Sequence, residues 1–358
     1  MSSMDLSDRD WLFAKVALCI TGIGIMNNAT VVLSNFWYLR KLPPSSFLIV
    51  CLCLSDTLLL ANYFTISATR LVRKNLFYDS FTCQIQAFMI TFGALNSLGT
   101  CAGLTLFRYL IIVHQYKVKR YFAIAYIATV ACVCASVASI PFMIRAADRI
   151  YIMNGSNINC SIGWFQSADV ANRAMSWTCV AVLGVPFSSI GFAYFQIYRK
   201  VSEVFGGYKS SVDETRNQFA VNDKKSASAY NSNQKTSEQF TEANHIQDTS
   251  RALTVPAAQK LNYISVSKRT EEEERQMALL IQSIVIVSVF ILGWTPYLVF
   301  ALIEMITGTK GDRYFEFAAE MILSLQDGIN PIVVICFDQN IRANVLRGLR
   351  LSKKEGPI

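Results

Sequence analysis

Seven long apolar runs divide the chain, and each is long enough to cross a lipid bilayer as a helix. A membrane-spanning helix needs about 20 mainly apolar residues, because the hydrocarbon core is about 30 Å thick and a helix rises about 1.5 Å per residue. The third run holds Cys83 near one end and Arg108 near the other, so that one helix would carry them at opposite membrane faces. The predicted spans are residues 12–38, 45–68, 83–113, 121–144, 175–199, 276–305 and 314–336. The sequence therefore predicts an all-α membrane protein, a single domain over residues 1–358 built as a seven-transmembrane helix bundle.

The composition agrees with a membrane protein. Only 16% of the residues are charged and 53% are hydrophobic, whereas a soluble domain is about one-quarter charged. The net charge of +8 comes from basic residues between the apolar runs, which favours anionic membrane lipids over nucleic acid as the partner. The first run is longer than the apolar part of a secretory signal and has no cleavage site behind it, so we expect it to remain as a signal anchor.

Two polar segments border the last spans. Residues 205–270 are rich in Ser, Thr, Asn, Gln and Lys, and their middle lacks helical periodicity; this composition predicts a mainly disordered third cytoplasmic loop. Residues 337–350 place apolar side chains at four-residue intervals with basic side chains between them. That spacing predicts an amphipathic helix on the inner leaflet of the membrane.

Two glycosylation motifs give the orientation. Asn154-Gly-Ser156 and Asn159-Cys-Ser161 lie in the connection between the fourth and fifth spans, and such a motif marks an exposed outer loop when a glycan is attached. We therefore expect glycans on Asn154 and Asn159, this connection outside the cell, and a multi-pass plasma-membrane protein with its N-terminus outside.

Five spans each place one polar or amphipathic side chain near their middle. An ionisable group in a span costs about 2.5–3.5 kcal/mol, so Asp56 calls for a reason. A carboxylate surrounded by hydroxyl and amide oxygens suits a small hydrated cation. The alternative is that these groups form hydrogen bonds between helices that set the packing. The five residues are Asn28, Asp56, Ser97, Trp294 and Asn330.

Short motifs occur in a fixed order along the spans, and together they resemble those of the rhodopsin-like class of G protein-coupled receptors. Each motif alone is weak, but six in register on seven spans are specific, and they cover nearly the whole chain except residues 205–270. Trp294-Thr-Pro-Tyr297 and Cys160-Ser-Ile-Gly-Trp164 are most similar to the opsin branch. The six motifs are Asn28-Ala-Thr-Val31, Leu52-Cys-Leu-Ser-Asp56, Cys83 with Phe107-Arg-Tyr109, Pro186 with Tyr194, Phe290-x-x-x-Trp294-x-Pro296, and Asn330-Pro331.

The resemblance implies an outer pocket for an extracellular ligand and an inner cavity for a heterotrimeric G protein. It implies a disulfide between Cys83 and Cys160; the other eight cysteines lie in apolar runs or at their ends. It also implies an ion or water site at Asp56, Ser97 and Asn330, with sodium as the ion. The long loop would be a target of a kinase and of an arrestin-type partner. The activation and coupling residues would be Arg108, Tyr109, Pro186, Tyr194, Phe290, Pro296 and Pro331.

Three positions depart from the family pattern. Phe107 stands where the family usually has an acidic residue before the arginine, and Gln276 stands where the sixth span often has a glutamate. Val334 replaces the tyrosine of the family's Asn-Pro-x-x-Tyr motif. Loss of the acidic partners predicts a weakly held resting state and raised basal activity, whereas loss of the tyrosine could weaken the active state and cancel that effect.

Neutral residues occupy the positions that would identify two common ligand types. Ser324 stands at the position of the opsin lysine, and only an amine forms a retinal Schiff base, so no covalent retinal cofactor is expected. Gln86 replaces the opsin counter-ion and Ile90 replaces the aspartate of amine receptors. A pocket of Gln86, Ile90, Trp294, Tyr297 and Ser324 suits a small, largely neutral or apolar ligand; the alternative is that Gln86 and Ser324 merely join helices.

Other classes of membrane protein remain open at this point. A transporter or channel would need a polar path along several spans, and only one cluster in mid-membrane is visible. A non-covalent opsin-like sensor is a further alternative. An enzyme is not expected, because no histidine lies in a span and no nucleophile stands with a base, so no catalytic residue is assigned. Two distant histidines and no paired cysteine motif predict no metal site beyond sodium at Asp56.

Overall fold

The computed structural model describes residues 8–72, 80–154, 159–164, 170–234, 281 and 284–354. Within them, seven helices are long and apolar enough to cross a membrane, which confirms the predicted fold class. The short helix after the seventh span is also confirmed. In chain order the helices are α1 (Asp8–Phe36), α2 (Pro44–Val72), α3 (Ser80–Ile112), α4 (Arg120–Met143), the short α5 (Ala147–Ile150), α6 (Val170–Gln234), α7 (Ile284–Thr307), α8 (Arg313–Phe337) and α9 (Gln339–Lys354).

Apolar side chains cover the outside of the bundle, and polar side chains lie within it. Met26, Leu33 and Leu292 are each about 70% exposed, whereas Asn28 and Asp56 are fully buried. This arrangement suits a lipid environment, because hydrocarbon solvates apolar side chains and leaves polar groups to find partners between helices.

Small residues let α3 and α4 approach closely. Tyr126 of α4 lies directly over Gly103, where any added Cβ atom would clash with its ring, and its hydroxyl donates to the Gly99 carbonyl at 2.8 Å. Val130 fills the space over Gly99 in the same way. Helix α3 is the most buried of the spans within the described residues, and these two glycines are where α4 packs closely on it.

A disulfide holds a short hairpin against one end of α3. Strands β1 (Tyr151–Met153) and β2 (Cys160–Ile162) pair antiparallel, and Cys83 is bonded to Cys160 with their Cα atoms 5.4 Å apart, as the resemblance implies. The buried Tyr151 hydroxyl donates to the Ala138 carbonyl of α4 at 2.7 Å, and burial raises the pKa of that hydroxyl. We call this end of the bundle the disulfide end and the end with Arg108 the arginine end.

The first and seventh spans are joined at the disulfide end. Asp312 caps α8, because its carboxylate accepts hydrogen bonds from the backbone of Tyr314 and Phe315 at 3.0 and 2.9 Å. Arg313 forms an ion pair with Asp10 of α1. These contacts fix where α8 starts and therefore which of its residues face the interior.

Helix α9 is anchored at the arginine end. Asp338 accepts from the backbone N–H groups of Asn340 and Ile341 at 3.0 and 3.1 Å, and Ser46 of α2 donates to its other carboxylate oxygen at 2.8 Å. Asn344 donates to Asn35 of α1 at 2.8 Å. The helix was predicted over 337–350 and is found over Gln339–Lys354.

The chain divides into two compact units, the bundle up to Tyr194 and from Arg275 onwards, and Phe195–Glu274. Helix α6 continues to Gln234, so residues 205–234 are helical where a disordered loop was predicted. Proline ends a helix because it lacks a backbone donor and clashes with the preceding turn. No proline occurs between Pro186 and Pro256, so no residue in this stretch ends the helix in that way. Residues 235–270 and Gln276, on which other predictions fall, lie outside the described part of the chain.

Candidate functional site

One face of α8 carries a buried polar stripe that begins at the disulfide end. Glu316, Glu320, Ser324 and Asp327 follow one another at intervals of four, four and three residues, which places them on one side of a helix. They are 5%, 2%, 1% and 2% exposed. Only Ser324 was predicted to have a role, so the sequence analysis missed three buried carboxylates.

Glu320 is the best-defined member of this stripe. Its Oε1 atom accepts hydrogen bonds from the side-chain amides of Asn154 at 2.5 Å and Asn159 at 3.2 Å. The Asn154 side-chain amide also donates to the side-chain carbonyl of Asn159 at 2.6 Å, and the Ser161 hydroxyl donates to the side-chain carbonyl of Asn154. The other carboxylate oxygen, Oε2, is buried and has no hydrogen-bond partner among the described residues.

This geometry corrects the predicted glycosylation. Asn154 and Asn159 are only 5% and 1% exposed, and both amide nitrogens are hydrogen-bonded to Glu320. A glycan is attached to that nitrogen and needs a surface loop. The sequence motifs are present, but the folded hairpin buries both side chains and uses their amides in hydrogen bonds to Glu320.

The predicted pocket residues lie beside this cluster. Ile90 packs with Tyr63 of α2, and Tyr63 forms a side-chain hydrogen bond with Asn159. Gln86 lies one turn before Ile90 and is 5% exposed. Both amide atoms of Gln86, the Ser324 hydroxyl and the Trp294 indole nitrogen are buried and have no hydrogen-bond partner within the described residues. The simple alternative, that Gln86 and Ser324 join helices through their side chains, is not what the structure has.

Aromatic rings line the α6–α7 side of the interior. Phe187, one residue after Pro186, lies 5.6 Å from Phe290, and Phe290 lies 5.8 Å from Trp294, measured between ring centroids. Tyr297 lies 6.5 Å from Trp294. The predicted switch residue Phe290 therefore forms one contiguous ring cluster with Phe187 and with the predicted pocket residues Trp294 and Tyr297.

A cavity of about 280 Å³ opens beside this cluster at the disulfide end. None of the five predicted pocket residues lines it. Trp164 connects the two, because it lines the cavity and its indole N–H donates to the Tyr297 hydroxyl at 3.3 Å. The other lining residues include Ser176, Trp177, Met305 and Ile306.

The three side chains predicted to form an ion or water site lie together inside the bundle. Asp56 accepts from the Ser97 hydroxyl at 2.5 Å and from the Asn330 amide at 3.3 Å. Asn28 donates to the Asp327 backbone carbonyl at 2.9 Å, and the Asp327 carboxylate interacts electrostatically with Asp56. Two carboxylates therefore share this region, where the sequence analysis counted one.

Arg108 is buried at the opposite end of α3. It is 5% exposed and forms a side-chain hydrogen bond with Tyr194 of α6. Phe107 does not take the place of a carboxylate, since its ring packs 5.8 Å from that of Tyr126 on α4. The Tyr194 hydroxyl therefore links the arginine of α3 to α6, and Asp338 also interacts electrostatically with Arg108.

Other predicted coupling residues lie around this end or within the helices. The Tyr109 hydroxyl is 2.9 Å from the His114 ring nitrogen. Val334, which replaces the family tyrosine, is 1% exposed in an apolar cluster with Phe107. Pro186, Pro296 and Pro331 lie inside α6, α7 and α8, where proline allows a helix to bend.

The chain is a bundle of seven membrane-spanning helices with a disulfide-bonded hairpin at one end and a buried arginine at the other. A family model described as "7 transmembrane receptor (rhodopsin family)" matches residues 27–333. The chain therefore belongs to the rhodopsin family of seven-transmembrane receptors, whose general partners are G proteins, and is a multi-pass membrane protein. Members of this family are receptors rather than enzymes.

Solved structures agree with this family on the fold. The chain is similar to the crystal structure of squid rhodopsin, with a TM-score of 0.69 and 18% sequence identity. The match covers 97% of this chain and 87% of the rhodopsin chain. Identity at this level supports the shared fold and carries no information about the ligand. No curated protein sequence matches the chain.

The three carboxylates on the α8 face can be recognised from the sequence as a pattern. Glu316, Glu320 and Asp327 stand in an otherwise apolar run at spacings that return to one helix face. Their partners had no such signal, because Asn154 and Asn159 reach Glu320 only through the folding of the hairpin onto the bundle. Comparison of single positions with known ligand types overlooked both.

Proposed function

We propose that this protein is a plasma-membrane receptor that converts binding of a small ligand at its disulfide end into activation of a heterotrimeric G protein at its arginine end. The disulfide end and the N-terminus face outside, since a disulfide forms in an oxidising compartment. The ligand has a mainly apolar body, which Ile90 and the aromatic rings around Trp294 would contact.

The arrangement of buried polar groups along the bundle supports this proposal most directly. The stripe on α8 leads from Glu320 at the hairpin to Asp327 beside Asp56, and α3 carries Ser97 near that centre and Arg108 at the far end. A ligand that binds one packing of these helices more tightly than another shifts the population between them. Prolines in α6 and α7 give these helices the freedom to move.

We further propose sodium as the ion at the centre of the bundle. Sodium is a hard cation that prefers oxygen ligands, and Asp56 and Ser97 supply a carboxylate and a hydroxyl there. The Asn28 side-chain carbonyl is buried without a hydrogen-bond donor among the described residues and adds an available oxygen nearby. A bound sodium ion would offset the paired negative charge of Asp56 and Asp327.

A kinase and an arrestin-type partner would act through the Ser- and Thr-rich segment after α6, which is on the same side of the membrane as the G protein in this proposal. Covalent retinal binding is not part of the proposed function, because the hydroxyl of Ser324 cannot form a Schiff base. Helix α9, with its basic face, would lie against anionic lipids.

Nucleotide exchange on a panel of purified G proteins tests the proposed function. The full chain, reconstituted in lipid vesicles, should accelerate exchange on at least one G protein, and Arg108→Ala should abolish the acceleration. Absence of exchange, together with ion or solute flux through the same vesicles, would contradict the proposal and favour a transporter. Flux and nucleotide exchange are measured in the same preparation, so that a difference between them does not come from a difference in the quality of the protein.

A further inference from the structure

We infer that the ligand of this receptor carries a protonated amine, which binds the open carboxylate oxygen of Glu320. The inference rests on the proposed function and sharpens it, because it names the chemistry that the pocket recognises. It differs from the neutral ligand that the sequence predicts, because the sequence does not show that Glu320 is buried beside the predicted pocket residues.

The two oxygens of Glu320 are used unequally. Oε1 is held by the amides of Asn154 and Asn159, which fix the orientation of the carboxylate. Oε2 is equally buried and accepts no hydrogen bond from any described residue. A carboxylate oxygen that is oriented by the protein and left open has the geometry of a recognition site.

The protein supplies no cation to Glu320 within the described residues. Its hydrogen-bond partners are two neutral asparagines, and the neighbouring charged residue on its helix face is Glu316, another carboxylate. A buried charge without an opposite charge is strongly unfavourable. A cationic ligand would remove this penalty, and the penalty itself would then contribute to selectivity for a charged ligand over a neutral one.

An organic ammonium fits this site better than a metal ion. No group of three or more metal-ligating His, Cys, Asp or Glu residues exists in the part of the chain that the structure describes. The two asparagines present N–H donors to Glu320, which suit a carboxylate and not a metal. One carboxylate oxygen matches one ammonium group.

The surroundings supply contacts for the rest of such a ligand. The Gln86 amide offers both a donor and an acceptor without partners among the described residues. Tyr63 is hydrogen-bonded to Asn159 of the cluster, and Tyr63 and Tyr297 both interact electrostatically with Glu320; aromatic faces attract cations. The apolar part of the ligand would contact Ile90 and Trp294.

Matched pairs of amines and alcohols test the inference. Phenylbutylamine, octylamine and tryptamine are compared with phenylbutanol, octanol and tryptophol, which keep the apolar body and lose the charge. Thermal unfolding of the full receptor in lipid nanodiscs is followed with each probe for the wild type, Glu320→Gln and Glu304→Gln. Glu304→Gln is the matched control, because this carboxylate is also buried but bonds the Gly311 backbone in the α7–α8 connection.

The expected result is that amines stabilise the wild type at concentrations about tenfold or more lower than their alcohols, since a hydrogen bond to a charged group is stronger than one between neutral groups. The preference should disappear in Glu320→Gln and persist in Glu304→Gln. The inference is overturned if no amine is preferred over its alcohol in the wild type, or if Glu320→Gln keeps the preference.

A second measurement on the wild type covers the case in which Glu320→Gln does not fold. A photoreactive benzophenone amine should label peptides of α3, α8 or the hairpin, and excess phenylbutylamine should suppress the labelling. Labelling elsewhere, or suppression by phenylbutanol at the same concentration, overturns the inference. Neither binding assay needs a G protein, so failure of the nucleotide-exchange test leaves these results separate from the proposed coupling.

Discussion

Glu320 at the disulfide end and Arg108 at the arginine end are both buried, but the two ends hold these side chains in opposite ways. At the disulfide end, Glu320 is oriented by two asparagines and keeps one oxygen open. At the arginine end, Arg108 is bonded to the hydroxyl of Tyr194 on another helix. One charge is fixed to a hairpin and faces the interior, and the other joins two long helices.

This difference indicates where the molecule is rigid and where it can change. The hairpin is held by a disulfide, a buried tyrosine and the Glu320 cluster, which together favour a preformed binding site. The residue directly before Arg108 supplies no carboxylate, because it is Phe107, which packs against Tyr126; Asp338 interacts electrostatically with Arg108. A hydrogen bond to a neutral hydroxyl is weaker than one to a carboxylate, so the contact between α3 and α6 is the more easily exchanged for a partner's contacts and the arginine end is the more adaptable.

Breaking the disulfide should have the largest effect on stability. Cys160→Ser opens a loop closed across a sequence separation of 77 residues, which the chain-entropy relation converts to about 4.5 kcal/mol. Thermal unfolding in nanodiscs should show the loss, whereas Cys19→Ser, an exposed free cysteine, should unfold like the wild type. Equal stability of the two variants would show that the disulfide end is not the rigid one.

Restoring a carboxylate beside the arginine should lower basal signalling. In Phe107→Glu, a charged partner would hold Arg108 in the resting state, and a contribution of about 1.4 kcal/mol corresponds to about tenfold slower ligand-free nucleotide exchange. Phe107→Leu is the control, because it removes the ring without adding charge. Unchanged exchange in Phe107→Glu, with normal expression, would rule out a weakly held resting state.

Removing the Tyr194 hydroxyl isolates the contact between α3 and α6. Tyr194→Phe should lose about 1 kcal/mol of stability, the usual contribution of one hydrogen bond. Tyr121→Phe, at an exposed ring on α4, serves as the control. If the two variants unfold at the same temperature, Arg108 is held by something other than this hydroxyl.

The smallest expected effect concerns sodium at the centre of the bundle. Sodium should stabilise the wild type relative to choline by about 0.4 kcal/mol at a concentration equal to its dissociation constant. Asp56→Asn should remove this difference, because it deletes the carboxylate that faces Ser97 and Asn330. A sodium effect that survives in Asp56→Asn would place the ion elsewhere.

The fold was predictable because each span carries its own length and apolar signal. The disulfide and the meeting of Asp56 with Ser97 and Asn330 were predictable from motifs at fixed positions in the spans. Those motifs work because a helix in a membrane has little freedom of register, so sequence position translates into depth.

The hairpin contacts were not predictable in the same way. Asn154 and Asn159 looked like surface glycosylation sites, because a sequence motif contains no information on tertiary burial. The helix over 205–234 was missed because polar composition was taken as a sign of disorder. The α8 stripe can be seen in the sequence when its polar residues are placed together on one helix face. A comparison of single positions, such as Ser324, with those of known ligand types does not show it.

The central claim is that the two ends are coupled, and one measurement addresses both ends together. Nucleotide exchange on the responsive G protein is measured with and without phenylbutylamine for the wild type, Glu320→Gln and Arg108→Ala in the same vesicles. The amine should change the exchange rate with the wild type and leave it unchanged with Glu320→Gln. With Arg108→Ala, no exchange above background is expected either with or without the amine. An amine effect of equal size in Glu320→Gln, or no effect in the wild type, would contradict the coupling of a cation site at the disulfide end to the arginine end.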